Sequence, residues 1–580
     1  MDTKKVLDDL REFVKKEHDA NFAQLYEVWE KPLHQKLESG ETQSITSIKI
    51  EDKKHLVVTL GENDSRFREG DMICLHLGDV KNEFFVRQAR IEAENEREWL
   101  LQADFDRDAV KQKKGICYAD ADAMDLKSFF DKAFDDVANL SNGRKVLLPL
   151  LTGELTADKI YSDNYDNAAN YAEEAGLNEK QINAVGLGVA AQYLACIQGP
   201  PGTGKTKVIS IIAKLLVAEG QTVLLTSHTH MAINNALNKV ANEGVPTIKV
   251  GAITSNKGLE KDVPRFDLGN DWEERPDCGY VIGATPFSTC SLRLDNFEFD
   301  TVIFDEASQI TVPLAIMAMR KGKRFVFVGD HKQLPPVVVS KSVLDEESYS
   351  VFSKLVLGNE TVSEMLDTTY RMNKWLVKWP SLQYYEGNLV SEGDNSERCL
   401  KLIREPKKYY EVFSPEHPFV FILSPGVNAR TQNKAEASLV VNLIQAAVDA
   451  GLPLEELGVV TPYRNHGKMI KNQLSDRLGV PAVKRVVIDT VERMQGQERE
   501  VIIISLCSTD KQFIQSVASF FFQPERLNVA ITRPKVKLIL IGPEIPDRFC
   551  VDKRSEGIQD NIDAYRSLVN SAKHFRLGGE

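Results

Sequence analysis

The first forty residues carry apolar side chains spaced three or four positions apart. These residues are Val6, Leu7, Leu10, Phe13, Val14, Phe22, Leu25, Trp29, Leu33 and Leu37. An α-helix returns to the same face every 3.6 residues, so the spacing predicts a long amphipathic helix that turns one stripe towards a core. Pro32 cannot donate a backbone hydrogen bond inside a helix, and it marks a kink or an end.

The five short segments that follow are rich in β-branched and aromatic residues, with turn residues between them such as the run from Gly61. They lie near residues 42–50, 55–60, 72–77, 84–91 and 99–103. Short strands bounded by turns predict a small antiparallel barrel of about 70 residues. Some barrels of this kind bind nucleic acid and others only pack, and the pattern leaves both open. Residues 120–142 have the pattern of a second helix that returns along the first.

From residue 177 onwards the pattern changes to continuous apolar runs that alternate with helical stretches. One series lies at residues 195–198, 223–226, 280–283, 301–304 and 324–328, and a second at 419–423, 458–460, 485–488, 501–505 and 536–541. Unbroken Val, Ile and Phe runs are typical of parallel sheets that are covered by helices on both faces. The predicted fold class is therefore α/β, with two parallel-sheet domains in tandem after a helical stalk and a small β-barrel.

Length, charge and cysteine usage narrow the possibilities. A chain of 580 residues is too long for one core, and we expect about three or four domains. The net charge of −12 repels polyanions on average, so any nucleic acid must bind in a locally basic groove. Eight cysteines without a CxxC pair indicate buried thiols, and no apolar run approaches the ~20 residues of a membrane span. We expect a monomer in the cytoplasm, or in the nucleus if the source has one.

The first apolar run of the α/β part leads into the sequence CIQGPPGTGKT, residues 196–206. The spacing GxxxxGK[ST] directly after a strand is typical of a P-loop that binds ATP. Glycines let successive backbone N–H groups face the phosphates, Lys205 supplies a positive charge, and Thr206 is expected to bind Mg²⁺. The predicted phosphate cradle consists of Gly199, Pro200, Pro201, Gly202, Thr203, Gly204, Lys205 and Thr206.

Two later runs of the first series also end in polar residues, at the carboxyl ends of strands where parallel sheets bind their ligands. Asp305 and Glu306 follow the fourth run, and Asp330 and Gln333 follow the fifth. An Asp-Glu pair is usually solvated surface. Behind a buried strand, however, Asp305 fits a Mg²⁺ ligand, directly or through water, and Glu306 fits the base that acts on the attacking water. Gln333 is placed to hydrogen-bond the γ-phosphate and to register its loss.

Seven segments in order carry a family resemblance. They are GPPGTGKT, DEAS, GDHKQLPP, TTYRMN, VVTPYRNH, TVERMQGQE and ERLNVAITRPK, which begin at Gly199, Asp305, Gly329, Thr368, Val459, Thr490 and Glu525. Over residues 177–542 they resemble the helicase motifs of superfamily 1. The match is to branch 1B, which contains the nonsense-mediated-decay RNA helicase and the immunoglobulin mu-binding helicase. The resemblance implies two RecA-like P-loop domains, and the N-terminal part resembles the stalk and barrel insertion of that branch.

The resemblance also implies residues that hold the base and sugar of ATP. Gln181 resembles the glutamine that reads adenine upstream of the P-loop, because its amide offers both a donor and an acceptor. Tyr370 resembles the residue that stacks on the adenine. Glu498 resembles an acid that contacts the nucleotide, with the ribose as its expected partner.

Further residues are implied at the phosphates. Arg371 and Arg533 resemble the arginines that reach the γ-phosphate from the second domain, and Gln495 is expected near the same phosphate. A guanidinium stays charged and binds phosphate bidentately, and such arginines are worth about 10³–10⁵ in rate. The predicted catalytic set is Lys205, Asp305, Glu306, Gln333, Arg371 and Arg533, with ATP and Mg²⁺ as cofactors and Thr206 and Asp305 as metal ligands.

Candidates for contact with nucleic acid follow strands of both predicted sheets. They are Ser227, His228, Thr229, His230, Thr285, Thr461, Tyr463, Thr490 and Arg493. Hydroxyls and backbone amides at strand ends suit phosphate contacts that ignore sequence, and Tyr463 offers a ring for a base to stack on. Threonines at strand ends also cap helices, which is the competing explanation. His228 and His230 lack a third ligand nearby, which favours polar contacts over a metal site.

These observations predict both a domain order and a function. The predicted domains are a stalk helix (1–40), the barrel (41–118), a returning helix and linker (119–175), two RecA-like domains (176–345 and 346–549) and a C-terminal tail (550–580). The predicted function is an ATP-dependent helicase or translocase on single-stranded DNA or RNA, and the resemblance implies 5′-to-3′ movement. The alternative is an ATP-gated clamp that remodels nucleic acid or ribonucleoprotein without processive unwinding. A P-loop kinase or a small-molecule ligase would leave the motifs of the second domain without a role.

Overall fold

The computed structural model describes residues 3–63, 65–95, 97–113, 115–252, 256–340, 349–546, 549 and 557–576. Within these ranges, two parallel sheets covered by helices follow a helical stalk and a closed antiparallel barrel. The predicted α/β fold class is therefore confirmed, because the continuous apolar runs are the strands of the two parallel sheets.

The N-terminal elements form the stalk and the barrel. In chain order they are α1 (Thr3–Glu30), α2 (Leu33–Glu38), β1 (Thr42–Ile50), β2 (His55–Leu60), β3 (Met72–His76), β4 (Phe84–Glu94), β5 (Glu98–Gln102), α3 (Arg107–Lys111), β6 (Cys117–Ala121) and α4 (Lys127–Asn139). The first helix ends two residues before Pro32, which lacks the amide needed to continue it. Its Leu7 and Val14 join the core of the first sheet, and its Leu25 and Trp29 pack beside the barrel. The stalk helix thereby connects the barrel with the core of the first α/β domain.

The barrel closes in the strand order β1-β2-β5-β4-β3-β6, with antiparallel pairs throughout. Its sixth strand, β6, occupies the start of the helix predicted over 120–142, so that prediction is wrong for the first residues and α4 begins later. Asp120 explains the difference. Its buried carboxylate accepts hydrogen bonds from Lys36 and Thr42 and lies 3.1 Å from Nε2 of His76. These partners are distant in sequence, so the local pattern does not reveal them.

The first α/β domain follows α4 and contains an eight-stranded parallel sheet. Its elements are a π-helical turn (Gly143–Leu147), α5 (Leu148–Thr152), α6 (Ser162–Glu174), α7 (Glu179–Ala190), β7 (Leu194–Gln198), α8 (Lys205–Ala218), β8 (Thr222–Thr226), α9 (His230–Asn242), β9 (Thr247–Val250), β10 (Arg265–Phe266), a 3₁₀ turn (Gly269–Asp271), β11 (Tyr280–Gly283), α10 (Pro286–Thr289), β12 (Phe299–Phe304), a 3₁₀ turn (Ala307–Gln309), α11 (Val312–Met319), β13 (Gly322–Gly329), α12 (Val351–Val356), a 3₁₀ turn (Glu360–Val362) and β14 (Ser363–Met365). The strand order is β10-β9-β11-β8-β12-β13-β7-β14. The P-loop strand β7 therefore lies beside β13, and β13 lies beside β12. This order brings the polar residues that follow these three strands to one edge.

The predicted boundary between the two α/β domains at residues 345–346 differs from the structure. The strand β14 pairs in parallel with β7, with Ser363 opposite Cys196. Val351, Phe352 and Leu355 of α12 are buried in the core of the first sheet. The first domain therefore continues to about Leu366. A three-residue strand gives no periodic signal, because its stability depends on the neighbour with which it pairs.

The second α/β domain contains a six-stranded parallel sheet. Its elements are β15 (Thr368–Thr369), α13 (Lys374–Tyr384), β16 (Val390–Ser391), a 3₁₀ turn (Gly393–Asn395), β17 (Phe419–Leu423), α14 (Lys434–Asp449), a 3₁₀ turn (Leu454–Glu456), β18 (Leu457–Val460), α15 (Arg464–Leu478), α16 (Val480–Arg485), β19 (Val487–Asp489), α17 (Val491–Met494), β20 (Arg499–Ser505), α18 (Lys511–Ser516), α19 (Ala518–Phe521), α20 (Pro524–Ile531), β21 (Pro534–Gly542), α21 (Ile558–Ser571) and β22 (Lys573–Phe575). The sheet order is β19-β18-β20-β21-β17-β22, and β15 and β16 form a separate parallel pair. The candidate nucleic-acid residues of this domain follow β18 and β19, which are neighbours at one side of the sheet.

The predicted separate tail, residues 550–580, is wrong where the structure describes it. The helix α21 buries Ile562, Tyr565 and Leu568 in the core of the second domain, and β22 pairs in parallel with β17. The hydroxyl of Tyr565 also donates a 2.9 Å hydrogen bond to the Pro543 carbonyl. These residues therefore complete the second domain.

Candidate nucleotide site and nucleic-acid interface

The P-loop is the turn between β7 and α8. Gly202 and Gly204 have φ angles of +77° and +86°, a region in which a residue with a Cβ is strained. A Cβ added at Gly202 would lie 2.5 Å from the Cβ of Arg371 and 2.6 Å from Oγ1 of Thr369. Glycine therefore allows both the curl of the loop and the close approach of the second domain.

Lys205 is the first residue of α8, and its side chain folds back over the loop. Its Nζ donates a 2.6 Å hydrogen bond to the Gly199 carbonyl. Oγ1 of Thr203 donates to the Pro200 carbonyl at 2.8 Å, and the Gly199 amide donates to the Gly329 carbonyl at 2.8 Å. These bonds fix the loop against β13. Bound phosphates would replace the carbonyl as partner of the ammonium.

Asp305 and Glu306 follow β12 at the same edge. Asp305 is buried, and burial, together with the adjacent Glu306, raises the pKa of its carboxyl to about 7, although Lys205 acts in the opposite direction. Its Oδ1 accepts a 2.9 Å hydrogen bond from the Glu306 amide. Glu306 has a φ of +51°, a strained conformation for a residue with a Cβ. Nε2 of Gln495 in the second domain donates to its Oε2 at 3.2 Å, so this acid lies at the interface between the domains.

Arg533 approaches the first sheet from the end of α20. Its side chain is buried, and its Nε donates to the Val529 carbonyl at 2.8 Å, which fixes its direction. Its Nη2 lies 3.5 Å from Oε1 of Gln333 in the first domain. Burial, and then the charge of Arg371, lowers the pKa of Arg533 to about 9, so the guanidinium remains charged at neutral pH. A positive group of the second domain is thus already in place beside the predicted γ-phosphate sensor.

Arg371 is held by acceptors of its own domain. Its Nε donates to Oε2 of Glu498 at 2.6 Å, and its Nη1 donates to the Thr532 carbonyl at 3.1 Å. Nζ of Lys535 lies 3.4 Å from the other oxygen of Glu498. Burial alone would raise the pKa of Glu498, but Arg371 and Lys535 outweigh it, and the pKa is lowered. The structure therefore pairs Glu498, the predicted contact of the ribose, with Arg371, which is predicted to reach the γ-phosphate.

Gln181 and Tyr370 both contact the P-loop. Gln181 is buried, its Nε2 donates to the Thr203 carbonyl at 2.9 Å, and its Oε1 accepts from the Asn178 amide at 3.2 Å. Tyr370 is partly exposed, its amide donates to the Gly202 carbonyl at 2.8 Å, and its hydroxyl accepts from Nδ2 of Asn178 at 2.9 Å. Asn178 thus connects the two residues predicted to hold adenine.

The candidate nucleic-acid residues of the first domain lie along its carboxyl edge. Ser227 is fully buried, and Thr229 is exposed and caps α9 by accepting from the Ala232 amide at 3.2 Å. Oγ1 of Thr285 lies 3.0 Å from Oγ of Ser288. Thr229 therefore acts as a helix cap in this structure, which is the competing explanation for a threonine at a strand end. His228 and His230 line one cavity on this edge.

The candidates of the second domain are less accessible than the sequence suggests. Thr461 is fully buried, and Thr490 is 7% exposed and precedes α17. Tyr463 is half-buried, and its ring stacks on Phe520 with centroids 5.9 Å apart. Arg493 lies 3.8 Å from Asp489. A base that stacked on Tyr463 would have to share this ring with Phe520.

Comparisons with known proteins bear on the whole α/β region. Residues 347–544 match one family described as AAA domain, and residues 176–279 and 277–341 match a second family with the same description. The matches cover every strand of the two parallel sheets except β22, and the seven motifs lie within them in the expected order. The chain belongs to the superfamily 1 helicases. Its motifs and relatives fit branch 1B of this superfamily.

Among the relatives of this helicase-family chain are three proteins called DNA replication ATP-dependent helicase/nuclease. The protein DNA2 of Saccharomyces cerevisiae is 31% identical over 437 residues, which is 69% of this chain and 28% of the relative. DNA2 of Homo sapiens is 31% identical over 63% of this chain and 37% of its own length. JHS1 of Arabidopsis thaliana is 28% identical over 70% of this chain and 31% of its own length. The chain therefore spans about a third of the length of these relatives. Among solved structures, the Arterivirus nonstructural protein 10 helicase matches with a TM-score of 0.37 at 14% identity, over 86% of this chain and 78% of its own.

The helicase-family fold also contains an interdomain network that the motifs did not reveal. The hydroxyl of Tyr385 donates to Oδ2 of Asp330 at 2.7 Å and accepts from Nδ2 of Asn528 at 2.8 Å. Nε2 of Gln333 donates to the same Asp330 oxygen at 2.8 Å. Asn528 lies inside a recognised motif and could have been proposed from it, whereas Tyr385 lies outside every motif. Among the residues that the structure describes, no helix is both long enough and apolar enough to cross a membrane.

Proposed function

We propose that this chain is an ATP-dependent helicase or translocase that moves along single-stranded nucleic acid from 5′ to 3′ by hydrolysing ATP between its two RecA-like domains. The observation that carries the proposal is the division of the catalytic groups between two separately folded sheets. Lys205 and Glu306 belong to the first, and Arg371 and Arg533 belong to the second. A site assembled from both halves links hydrolysis to their relative movement.

The contacts across the interface support this distribution of the catalytic groups between the two domains. Gln495 donates to Glu306, and Arg533 lies beside Gln333. Phosphoryl transfer is catalysed mainly by positioning and by charge stabilisation, so a positive group at this interface has its largest effect when the halves are closed. Loss of the γ-phosphate removes the shared anion and favours opening. Repeated closing and opening would then change the grip on a bound strand.

Glu306 is the residue that we assign to the attacking water. It follows the buried Asp305, and its strained backbone turns it towards the second domain, where Gln495 contacts it. A carboxylate at this position can accept a proton from water or orient it. The amide of Gln495 would hold the same carboxylate before nucleotide arrives, and would then be near the γ-phosphate.

The residues present fit a magnesium ion. Thr206 offers a hydroxyl oxygen in the first turn of α8, and Asp305 offers a buried carboxylate at the end of β12. Hard oxygen ligands of this kind, completed by phosphate oxygens and water, suit Mg²⁺. Burial raises the pKa of Asp305, and a nearby divalent cation would favour its ionised form. When bound, the ion would neutralise charge on the β- and γ-phosphates.

Gln181, Tyr370 and Asn178 are proposed to bind the adenine. The partly exposed ring of Tyr370 offers a stacking face, and Gln181 keeps one amide hydrogen beyond its bond to Thr203. Glu498 is proposed to contact the ribose after it exchanges part of its pairing with Arg371. This exchange would release Arg371 towards the γ-phosphate, which explains why one acid and one arginine are paired in this structure.

A strand-separation assay tests the proposal. Duplexes with a single-stranded 5′ tail, a 3′ tail or no tail, made of DNA or of RNA, are incubated with the chain, ATP and Mg²⁺. We expect stimulation of ATP hydrolysis by single strands and separation of the 5′-tailed duplex only. The Lys205→Ala variant serves as a control that keeps the fold but lacks the P-loop charge.

Each other outcome selects a different function. Stimulated hydrolysis without separation of any duplex, and without displacement of a protein block from a single strand, would support the ATP-gated clamp. Separation from a 3′ tail would reverse the proposed polarity. Hydrolysis that no nucleic acid stimulates would contradict a nucleic-acid motor, and comparison of the DNA and RNA substrates identifies the preferred strand.

A further inference from the structure

The loop that follows β13 begins beside the nucleotide site and runs to the stalk. Gln333, near its start, is the predicted sensor of the γ-phosphate, and its Oε1 lies 3.5 Å from Nη2 of Arg533 in the second domain. Further along, Val339 and Ser340 reach the middle of α1. One short segment therefore connects the predicted γ-phosphate position with the stalk helix.

Glu17 of α1 binds the far end of this loop through two backbone amides. Its Oε2 accepts from the Val339 amide at 3.0 Å, and its Oε1 accepts from the Ser340 amide at 2.5 Å. An ionised carboxylate has two oxygens that only accept, so it matches two consecutive backbone donors. Such charge-assisted hydrogen bonds are about twice as strong as neutral ones. The side chain of Glu17 is partly buried, and it holds the backbone of the loop.

The stalk is a fixed mount for this contact. Leu7 and Val14 of α1 lie in the core of the first sheet, on the turns that precede Glu17. Nη2 of Arg11 donates to Oδ1 of Asp135 at 2.6 Å, which joins α1 to α4. The helix is thus attached to the first domain before Glu17 is reached. Of the two partners, the loop is the one whose position depends on the contact.

The loop itself is stiff between its two ends. Leu334 is 7% exposed and belongs to a hydrophobic cluster of the second domain. Pro335 and Pro336 follow it, and each proline fixes φ at about −65° and removes a backbone donor. Consecutive prolines favour an extended, semi-rigid chain. A displacement at the stalk end is therefore expected to reach Gln333 rather than to be absorbed within the loop.

Val337 shows that the stalk end has to be held from outside the loop. Its side chain is 86% exposed, so packing does not fix the chain at this point. A solvent-exposed segment with few buried contacts opens more readily than a packed one. The bonds from Val339 and Ser340 to Glu17 come shortly after it. They restrict the conformations that the end of the loop would otherwise sample.

We propose that Glu17 is a positioning residue for ATP hydrolysis, which holds the loop from the stalk so that Gln333 stays at the γ-phosphate when the two domains close. Glu17 touches no reacting atom in this assignment and acts only through backbone amides. The inference rests on the proposed function and deepens it, because it gives the stalk a part in the hydrolysis of ATP.

Hydrogen exchange tests the contact directly. Glu17→Gln keeps the size of the side chain, but its amide nitrogen cannot accept from the second backbone donor. Glu12→Gln is the matched control, because Glu12 is exposed on the same helix and pairs with Lys16 at 2.8 Å. Exchange is followed by mass spectrometry on peptides that cover residues 337–340. We expect the two bound amides to exchange about tenfold faster in Glu17→Gln and at the wild-type rate in Glu12→Gln.

Steady-state kinetics tests the positioning role. Glu17→Gln should lower the maximal rate of strand-stimulated ATP hydrolysis about tenfold, because the sensor is no longer held in place. The KM for ATP and the affinity for the single strand should change less than about twofold, because Glu17 contacts neither ligand. Glu12→Gln should match wild type in all three quantities. A general loss of folded protein would instead lower the binding capacity for both ligands.

A double variant shows whether Glu17 acts through Gln333. Gln333→Ala alone should lower the maximal rate, because the predicted contact with the γ-phosphate is lost. Glu17→Gln added to Gln333→Ala should reduce the rate by less than a further factor of about two, since the effects of residues that act through one contact do not add. Losses that multiply would show that Glu17 affects hydrolysis independently of the sensor, and would overturn the inference.

The outcomes also separate this inference from the proposed function. If the wild-type chain hydrolyses ATP and separates duplexes, but Glu17→Gln keeps the wild-type exchange or the wild-type rate, Glu17 is not a positioning residue and the motor proposal stands. If no single strand stimulates the wild-type chain, the proposed function fails, and basal hydrolysis of the same variants decides the role of Glu17. Melting temperatures establish that each variant is folded. If Glu17→Gln melts early, Glu17→Asp takes its place, because it keeps the charge but withdraws it from the amides by one methylene group.

Discussion

Lys205 and Glu306 lie at the same predicted phosphates but have different surroundings. The ammonium of Lys205 donates to the Gly199 carbonyl, and a phosphate can replace this acceptor without rearrangement of the fold. Glu306 is constrained by its positive φ and by Gln495 from the other domain. Lys205 is therefore suited to binding the negative charge of the phosphates. Glu306 is suited to a step that needs an exact orientation of the attacking water. Substitution of each residue separates the two roles.

We expect Lys205→Ala to abolish ATP hydrolysis, with a loss of at least about a thousandfold in rate, because the positive charge at the β- and γ-phosphates is removed. Binding of a single strand without nucleotide should stay within about twofold of wild type, since Lys205 faces the P-loop and not the nucleic-acid edge. Phosphate release and fluorescence anisotropy measure the two quantities. Turnover at the wild-type rate would refute the P-loop assignment.

Glu306→Gln should bind ATP and Mg²⁺ with near wild-type affinity but hydrolyse ATP about 10²–10⁴ times more slowly, because an amide cannot accept a proton from water. Binding of a fluorescent ATP analogue and single-turnover hydrolysis measure the two effects. The variant keeps the volume of the side chain and can still contact Gln495. A wild-type hydrolysis rate would place the base elsewhere.

At the scale of elements, one buried acid joins a helix of the second domain to two strand ends. Oε1 of Glu436 on α14 accepts from Oγ of Ser505 at 2.6 Å and from the Cys507 amide at 2.9 Å, and its Oε2 accepts from Ser424. Nδ1 of His466 accepts from the Asn433 amide, so its Nε2 carries the proton and donates to Ser505 at 2.9 Å. The chain of bonds fixes α14 and α15 against the carboxyl edge of the second sheet.

This cluster predicts a pH-dependent stability. Burial raises the pKa of Glu436 to about 7, although the hydrogen bonds from Ser424, Ser505 and the Cys507 amide lower it. Between about pH 4.5 and 7 the folded state keeps a proton that the unfolded state has lost, so the contribution of Glu436 to stability decreases as the pH rises. Glu436→Gln removes this dependence. The free energy of unfolding of the variant, relative to wild type, should increase by about 1–3 kcal/mol from pH 5 to pH 8.

Chemical denaturation of both proteins at each pH measures this difference. His466 acts in the opposite sense, because burial lowers its pKa to about 4 and its contribution is lost as the pH falls. It is present in both proteins and cancels in the comparison. A constant difference in unfolding free energy between pH 5 and pH 8 would show that Glu436 is ionised in the folded protein throughout this range.

At the scale of the whole molecule, Tyr385 is the residue that connects the two sheets through one hydroxyl. Burial, together with Asp330, raises the pKa of Tyr385 well above its ordinary value, so the phenol stays protonated and donates to Asp330 of the first domain. It accepts from Asn528, which also donates to the Lys332 carbonyl at 2.8 Å. Asn528 lies on α20, the helix that Arg533 follows. The network therefore links the loop after β13 to the position of the arginine.

Tyr385→Phe should lower the maximal rate of strand-stimulated ATP hydrolysis about tenfold and change the KM for ATP less than twofold. The lost hydroxyl leaves the packing intact but removes the bonds that hold Asp330 and Asn528 in register. Tyr384→Phe is a matched control, because the hydroxyl of Tyr384 is buried without a hydrogen-bond partner among the described residues. Equal stimulation in the two variants would show that the network contributes only to stability.

Much of this protein was determined by its sequence alone. The α/β class and the superfamily were predicted correctly, because unbroken apolar runs encode buried parallel strands and because the P-loop and the acid pair are read from neighbouring residues. The assigned roles of individual residues stay predictions. Local periodicity and loop chemistry depend on residues within a few positions of one another, which is why they can be read without a structure.

The tertiary structure decided what distant residues do together. Strands β6, β14 and β22 are too short or too polar to be recognised alone, and they exist because a neighbouring strand supplies their hydrogen bonds. The pairing of Arg371 with Glu498 and the bridge through Tyr385 depend in the same way on packing between segments far apart in the chain. A sequence specifies the chemical type of such a side chain, but only the folded packing fixes which groups surround it.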